Sequence, residues 1–206
     1  MSFTMENKCK SKSEKNKTGE EWVFGDNMSK DEHRKKMINI VSQIPKGIPL
    51  GWECNTLAVG GLMYIGFSDV QTEKLICISS QAQSVINCKT MQKTYCDENY
   101  DEDNLVACAE EFGDEIIKIV GDMGGGLRRY SKEGNSLQKI SPYWPKEQII
   151  FCPNFQSPYS APDKCHNVFE DYGVKAYGFS KCGKYFAIAT ASDLTIYKSL
   201  YMSSHM

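Results

Sequence analysis

The sequence predicts a mainly β fold, with antiparallel meanders in one compact sandwich- or barrel-like domain and a helix at the N-terminal side. Three observations predict it. From Thr56 onward, short runs rich in Val, Ile, Phe and Tyr alternate with Gly, Asn, Asp and Pro. The clearest helical periodicity is confined to residues before Pro45. With 206 residues, 41% of them apolar, the chain is long enough for one core and too short for several.

Residues 1–27 are Lys-, Ser- and Asn-rich with little that is apolar, and are expected to form a flexible basic tail. An amphipathic helix is expected over 28–46. Ser29 and Glu32 have capping-box spacing, Asp31 adds negative charge to the first turn, and Met37, Ile40, Val41 and Ile44 form one apolar face. Pro45 and Gly47 end it. Residues 47–206 are expected to be a single β-rich domain. Its expected strands are Leu57–Val59, Leu62–Phe67, Lys74–Ser79, Ser84–Cys88, Ile116–Val120, Leu127–Tyr130, Ser136–Ile140, Gln148–Cys152, Val174–Phe179, Lys184–Thr190 and Leu194–Lys198. The segment 131–135, SKEGN, reads as a hairpin loop, and Asn104–Phe112 as a short helix.

One internal repeat is visible. The segment 65–87, IGFSDVQTEKLICISSQAQSVIN, matches 177–197, YGFSKCGKYFAIATASDLTIY, through Gly-Phe-Ser, a turn, an apolar strand, a second turn and a final strand. With one turn of the second copy shorter by two residues, Ile76, Ile78 and Ile86 fall opposite Phe186, Ile188 and Ile196. The pattern resembles the "FSpdGkylat…i.iyd" meander of WD-type propeller blades, without the Trp-Asp dipeptide, which implies blade-like meanders. Residues 61–153, with GLMYIGFS, LICISSQAQSVINCKT, IIKIVGDMGGGL and SPYWPKEQIIFCP, resemble a family of uncharacterised bacterial proteins. That resemblance implies a bacterial cytosolic setting and no mechanism.

Charge is split along the chain. Residues 1–46 hold ten Lys/Arg against seven Asp/Glu, and the remainder holds fourteen against nineteen. The acidic folded part lacks a basic patch with interleaved aromatics, so nucleic acid is not an expected partner. No apolar run has the length of a membrane span, and the first residues lack the apolar core of a secretory signal, so a cytoplasmic location is expected. The nine cysteines are odd in number and several lie in strand-like runs such as LICIS and IIFCP, which favours reduced thiols over a disulfide framework. With no CxxC pair and three scattered histidines, neither metal nor cofactor is expected.

Four motifs bear on chemistry. The GDMGGGL loop (121–127) supplies Gly124, Gly125 and Gly126 beside Arg128, a weak anion-binding candidate without the lysine and helix of a phosphate loop. The plainer reading is a turn needing positive φ. Asp97, Asn99, Asp101 and Asp103 alternate as at the start of a calcium loop, but Glu102 and Cys108 stand where Gly and Glu are needed. Cys165-His166, with Asp163 or Asp171, has the residue types of a thiol nucleophile and base, though neighbours in sequence rarely present that geometry. Residues 97–115 carry nine carboxylates and no Lys or Arg. Of these, Asp97, Glu98, Asp101, Glu102, Asp103, Glu110 and Glu111 are the expected partner-binding residues.

No constellation supports catalysis. The expected function is non-enzymatic binding of a protein partner, and more narrowly an immunity- or antitoxin-like inhibitor of a bacterial toxin whose basic domain meets the acidic stretch. One alternative is an enzyme or ligand-binding protein with a site near the Gly-rich loop and Cys165-His166. Another is a scaffold or propeller-fragment interaction module.

Overall fold

The computed structural model describes residues 29–201, so the expected basic tail lies outside the described residues. Helix α1 (Lys30–Ser42) starts where the capping box places it. Ser29 Oγ accepts from the Glu32 amide, and the Glu32 carboxylate accepts from the Ser29 amide. Five strands follow: β1 (Trp52–Ala58), β2 (Leu62–Phe67), β3 (Lys74–Ser79), β4 (Gln83–Asn87) and β5 (Lys93–Cys96). Then come the two-residue strands β6 (Tyr100–Asp101), β7 (Val106–Ala107), β8 (Ile117–Lys118) and β9 (Val120–Gly121). The chain ends with β10 (Ser136–Ile140), β11 (Lys146–Cys152), β12 (His166–Tyr172), β13 (Ala176–Phe179), β14 (Tyr185–Ala189) and β15 (Asp193–Ser199). All strand pairs of the four sheets are antiparallel, and strand outweighs helix by 43% to 11%, so the fold is mainly β.

The sheets are ordered β10-β11-β12, β1-β15-β14-β13, β5-β4-β3-β2-β9 and β6-β7-β8, and they stack face to face without closing into a barrel. α1 covers the outer face of β10–β12 by setting Met37, Ile40, Val41 and Ile44 on Ile140, Ile150, Cys152 and Cys165. The inner face of that sheet sets Leu137, Ile149, Phe151 and Val168 against Trp52, Phe179, Phe186 and Tyr197 of the next. Tyr185, Ala187, Leu194 and Ile196 then meet Ile65, Phe67, Leu75 and Ile86. On the far side Tyr64, Ile76 and Ile78 pack on Ala107, Phe112 and Ile117. The two central sheets are therefore buried on both faces. That is why β3 and β14 are apolar at nearly every position instead of alternating.

The repeated segments are two meanders of matching geometry. β2-β3-β4 and β13-β14-β15 each run antiparallel, and the Ser68 and Ser180 amides donate to the Lys74 and Tyr185 carbonyls respectively. Their second turns are alike: Ser79 and Thr190 hydroxyls accept from the amides of Ala82 and Asp193 at 3.2 and 3.1 Å. The register corrects the sequence alignment by one residue. Leu75 pairs with Phe67 as Phe186 pairs with Phe179, so Leu75 matches Phe186 and Ile86 matches Tyr197. The first turn of the second copy is shorter by one residue, and the second turns are equally long. Equivalent residues point the same way along the stack. Ala176, Ala187 and Ala189 stand where the first copy has Tyr64, Ile76 and Ile78, so small residues of one sheet receive large ones of its neighbour.

The glycine of each Gly-Phe-Ser has a steric reason. A Cβ on Gly66 would lie 2.4 Å from the Lys118 carbonyl oxygen, and one on Gly178 would lie 2.3 Å from Leu127 Cβ and 2.8 Å from the Arg128 carbonyl oxygen. In both copies another segment crosses the bare α-carbon. β1 completes the second meander along all seven of its residues, from Trp52↔Ser199 to Ala58↔Asp193, as β5 completes the first.

Three local expectations are overturned. Asn104–Phe112 is not helical: Asp101 accepts from the Asn104 amide, Leu105 has φ +53°, and β7 pairs instead with β6 and β8. Only Glu110–Phe112 forms a 3₁₀ turn. Leu127–Tyr130 is not a strand and makes only the isolated bridges Arg128↔Phe179 and Tyr130↔Ser136. Ile116–Val120 is interrupted because the Ile119 amide turns to the Leu105 carbonyl, which splits it into β8 and β9.

Candidate functional site

The acidic stretch folds into a pinned hairpin at one end of the stack. β5 leads into residues 97–99, β6 and β7 form the hairpin, and the 3₁₀ turn follows. Its base is fixed by Gln83, which is fully buried. The Gln83 Nε2 donates to the Cys108 carbonyl at 2.7 Å, and its Oε1 accepts from the Asn99 amide at 3.1 Å. One side chain thereby ties both limbs of the hairpin to β4. Phe112 and Ala107 seat the hairpin on Tyr64, Ile76 and Ile78.

Of the nine carboxylates, two have structural duties. Asp101 accepts from the Asn104 amide and side chain at 3.0 and 2.7 Å, which lowers its pKa. Glu115 accepts from the amides of Asp69 and Val70 at 2.6 and 3.2 Å, and so closes the turn after β2. The other seven, Asp97, Glu98, Glu102, Asp103, Glu110, Glu111 and Asp114, make no ion pair with any described residue. Asp97, Glu110 and Glu111 come together around one groove with Asn99, Cys96, Cys108 and the exposed ring of Tyr95. Glu111 Oε2 is buried there with no hydrogen-bond partner. Glu102 and Asp103 extend the same charge to the hairpin tip. Among the described residues no group of three or more His, Cys, Asp and Glu is placed to hold a metal ion.

The Gly-rich loop is a turn. Gly121 and Gly124 donate to each other's carbonyls at 2.9 Å, and Gly124 and Gly125 have φ of +103° and +85°. The Arg128 guanidinium is already held by both carboxylate oxygens of Asp69, at 2.9 and 3.1 Å. Gly126 and Arg128 line a cleft with Glu115 and Lys118, whereas His166 lines a different cavity with Trp52, so the loop and Cys165-His166 do not share a site. Cys165 itself faces α1, fully buried beside Cys152, and burial pushes its thiol pKa up. Cys165 and His166 thus point to opposite faces of the β12 entry and do not form a nucleophile–base pair. The eight described cysteines are free thiols.

No protein-family model, curated protein or solved structure matches the chain. No helix among the described residues is long and apolar enough to cross a membrane.

Proposed function

We propose that the protein acts by binding a basic protein partner through the acidic hairpin, as an immunity- or antitoxin-like inhibitor would bind a cationic toxin domain. One observation carries this reading: seven carboxylates without an ion pair to any described residue are held on a hairpin that Gln83 pins to the core. Such a concentration of like charge opposes folding through self-repulsion, and no contact within the described residues offsets it. A cationic partner would offset it and would be steered in by the same field. The exposed Tyr95 ring beside the groove is the type of residue that anchors interfaces.

The test is a binding screen against a set of basic toxin domains, repeated with Asp97→Asn/Glu110→Gln/Glu111→Gln. The reading expects a partner whose affinity falls with salt and drops at least about tenfold in the triple variant. A partner bound equally well by the triple variant would place the interface elsewhere.

A further inference from the structure

A second site lies away from the hairpin, where the sheets β10–β12 and β1-β15-β14-β13 part at one end of the stack. A cavity of about 630 Å³ opens there, lined by the 133–135 turn, the end of β11, the start of β12, the turn before β14 and the two paired ends of β1 and β15. That is the size of a small-ligand pocket, and its walls come from six separate segments.

Three features of its lining go unexplained by folding alone. Glu133 and Lys184 both face the cavity, yet they make no ion pair with each other or with another described residue. The Glu133 carboxylate lies over the Gly183 α-carbon, where a Cβ would fall 2.5 Å from its Oε2. The half-buried imidazole of His166 lines the same cavity, and its Nδ1 is buried with no hydrogen-bond partner. Burial lowers its pKa, so it stands there as a neutral group. Finally, the backbone is strained at the rim, because Asn154 and Phe155 are consecutive non-glycine residues with φ of +48° and +60°. The Phe155 amide donates to the Gly134 carbonyl at 2.7 Å, and Asn154 lines the cavity.

We propose that this cavity binds a small zwitterion of the amino-acid or short-peptide type. The ammonium group meets Glu133, the carboxylate meets Lys184, and the side chain lies against the part of Trp52 that lines the cavity and the ring of Tyr201. An anion and a cation that line one cavity without pairing match a ligand carrying both charges, and leave one charge unmatched for any singly charged ligand. The neutral His166 and the Asn154 amide supply the remaining polar contacts. This inference is independent of the acidic hairpin.

Calorimetric titration of the full chain with L-tryptophan, L-phenylalanine and Gly-L-Phe tests it, with N-acetyl-L-tryptophan, L-tryptophan amide and cellobiose alongside. The zwitterions should bind saturably, and the two capped forms should bind at least about tenfold more weakly. Glu133→Gln should selectively lose the ammonium contribution and Lys184→Met the carboxylate contribution, each by about 10- to 100-fold. Both side chains lie at the cavity rim, so thermal melts of the variants should match the parent. The proposal is overturned if no zwitterion binds, if capping or either substitution leaves affinity unchanged, or if cellobiose binds as tightly.

Discussion

Phe186 is the residue on which the stacking of the central sheets depends most visibly. It is fully buried, and its ring lies 4.2 Å from Tyr197 in a near-parallel stack, 4.9 Å from Trp52, 5.4 Å from Phe179 and 5.7 Å from Phe151. These partners come from β1, β11, β13 and β15, so one side chain joins two sheets. Truncation to alanine removes the transfer free energy of the ring and leaves a cavity that rigid aromatic neighbours fill poorly. Together these cost about 3–5 kcal/mol. Aromatic pairing adds about 0.5–1.5 kcal/mol per favourable pair beyond area, which puts the cost at the upper end of that range. For a chain of this size the midpoint falls about 2–4 °C per kcal/mol, giving a drop of about 6–20 °C. Phe186→Leu keeps most of the volume and should cost less than about 2 kcal/mol. Urea and thermal melts of the two variants give the comparison. In a cycle with Tyr197→Phe, which removes the hydroxyl bond to the Val168 carbonyl, the two losses should not add, because both act on the same sheet junction. A loss below about 1 kcal/mol for Phe186→Ala would refute the layered core described above.

Gly66→Ala and Gly178→Ala should each destabilise by about 1–3 kcal/mol, because the added methyl meets crossing backbone; equal melts for variant and parent would show that the crossing segments yield. Ser29→Ala should cost about 1 kcal/mol and raise amide exchange selectively in α1, since it removes the hydroxyl that accepts from the Glu32 amide. Glu170 is held at a pKa of about 2 by hydrogen bonds from Lys146 and Lys46. Its folded pKa lies below the unfolded value, so its contribution is present above about pH 4.5 and is lost as pH falls toward 2. The stability of Glu170→Gln should accordingly depend less on pH across that window, and an unchanged slope would remove Glu170 from the acid response.

What could be read in the sequence was what local pattern encodes. α1 was legible because its cap and its apolar spacing lie within one short segment, and the meanders because their cores are β-rich and their turns polar. β12 was not legible: its sequence, HNVFEDY, is polar because an edge strand turns much of its surface to solvent. The first half of β1 was hidden for the same reason, since WECNTLA pairs on one side only. The strands between Tyr100 and Gly121 are two residues long, too short to show any period. The repeat was visible but its register was not, because a shift by one residue leaves apolar positions opposite apolar ones when both faces are buried. The acidic face was legible because its charges are contiguous. Gln83, which anchors it, gave no signal within a polar turn sequence, and the cavity at His166 draws on segments from Leu50 to Tyr201 that only the fold brings together.

The proposed electrostatic binding is tested most directly by the association rate of the protein with a basic toxin domain that it binds in the screen, measured by stopped flow as ionic strength rises from about 0.02 to 0.5 M. The account predicts that the rate falls by about tenfold or more while dissociation changes little, and that Asp97→Asn/Glu110→Gln/Glu111→Gln flattens the dependence. A rate that is independent of salt in the parent chain, or equally steep in the triple variant, would contradict it.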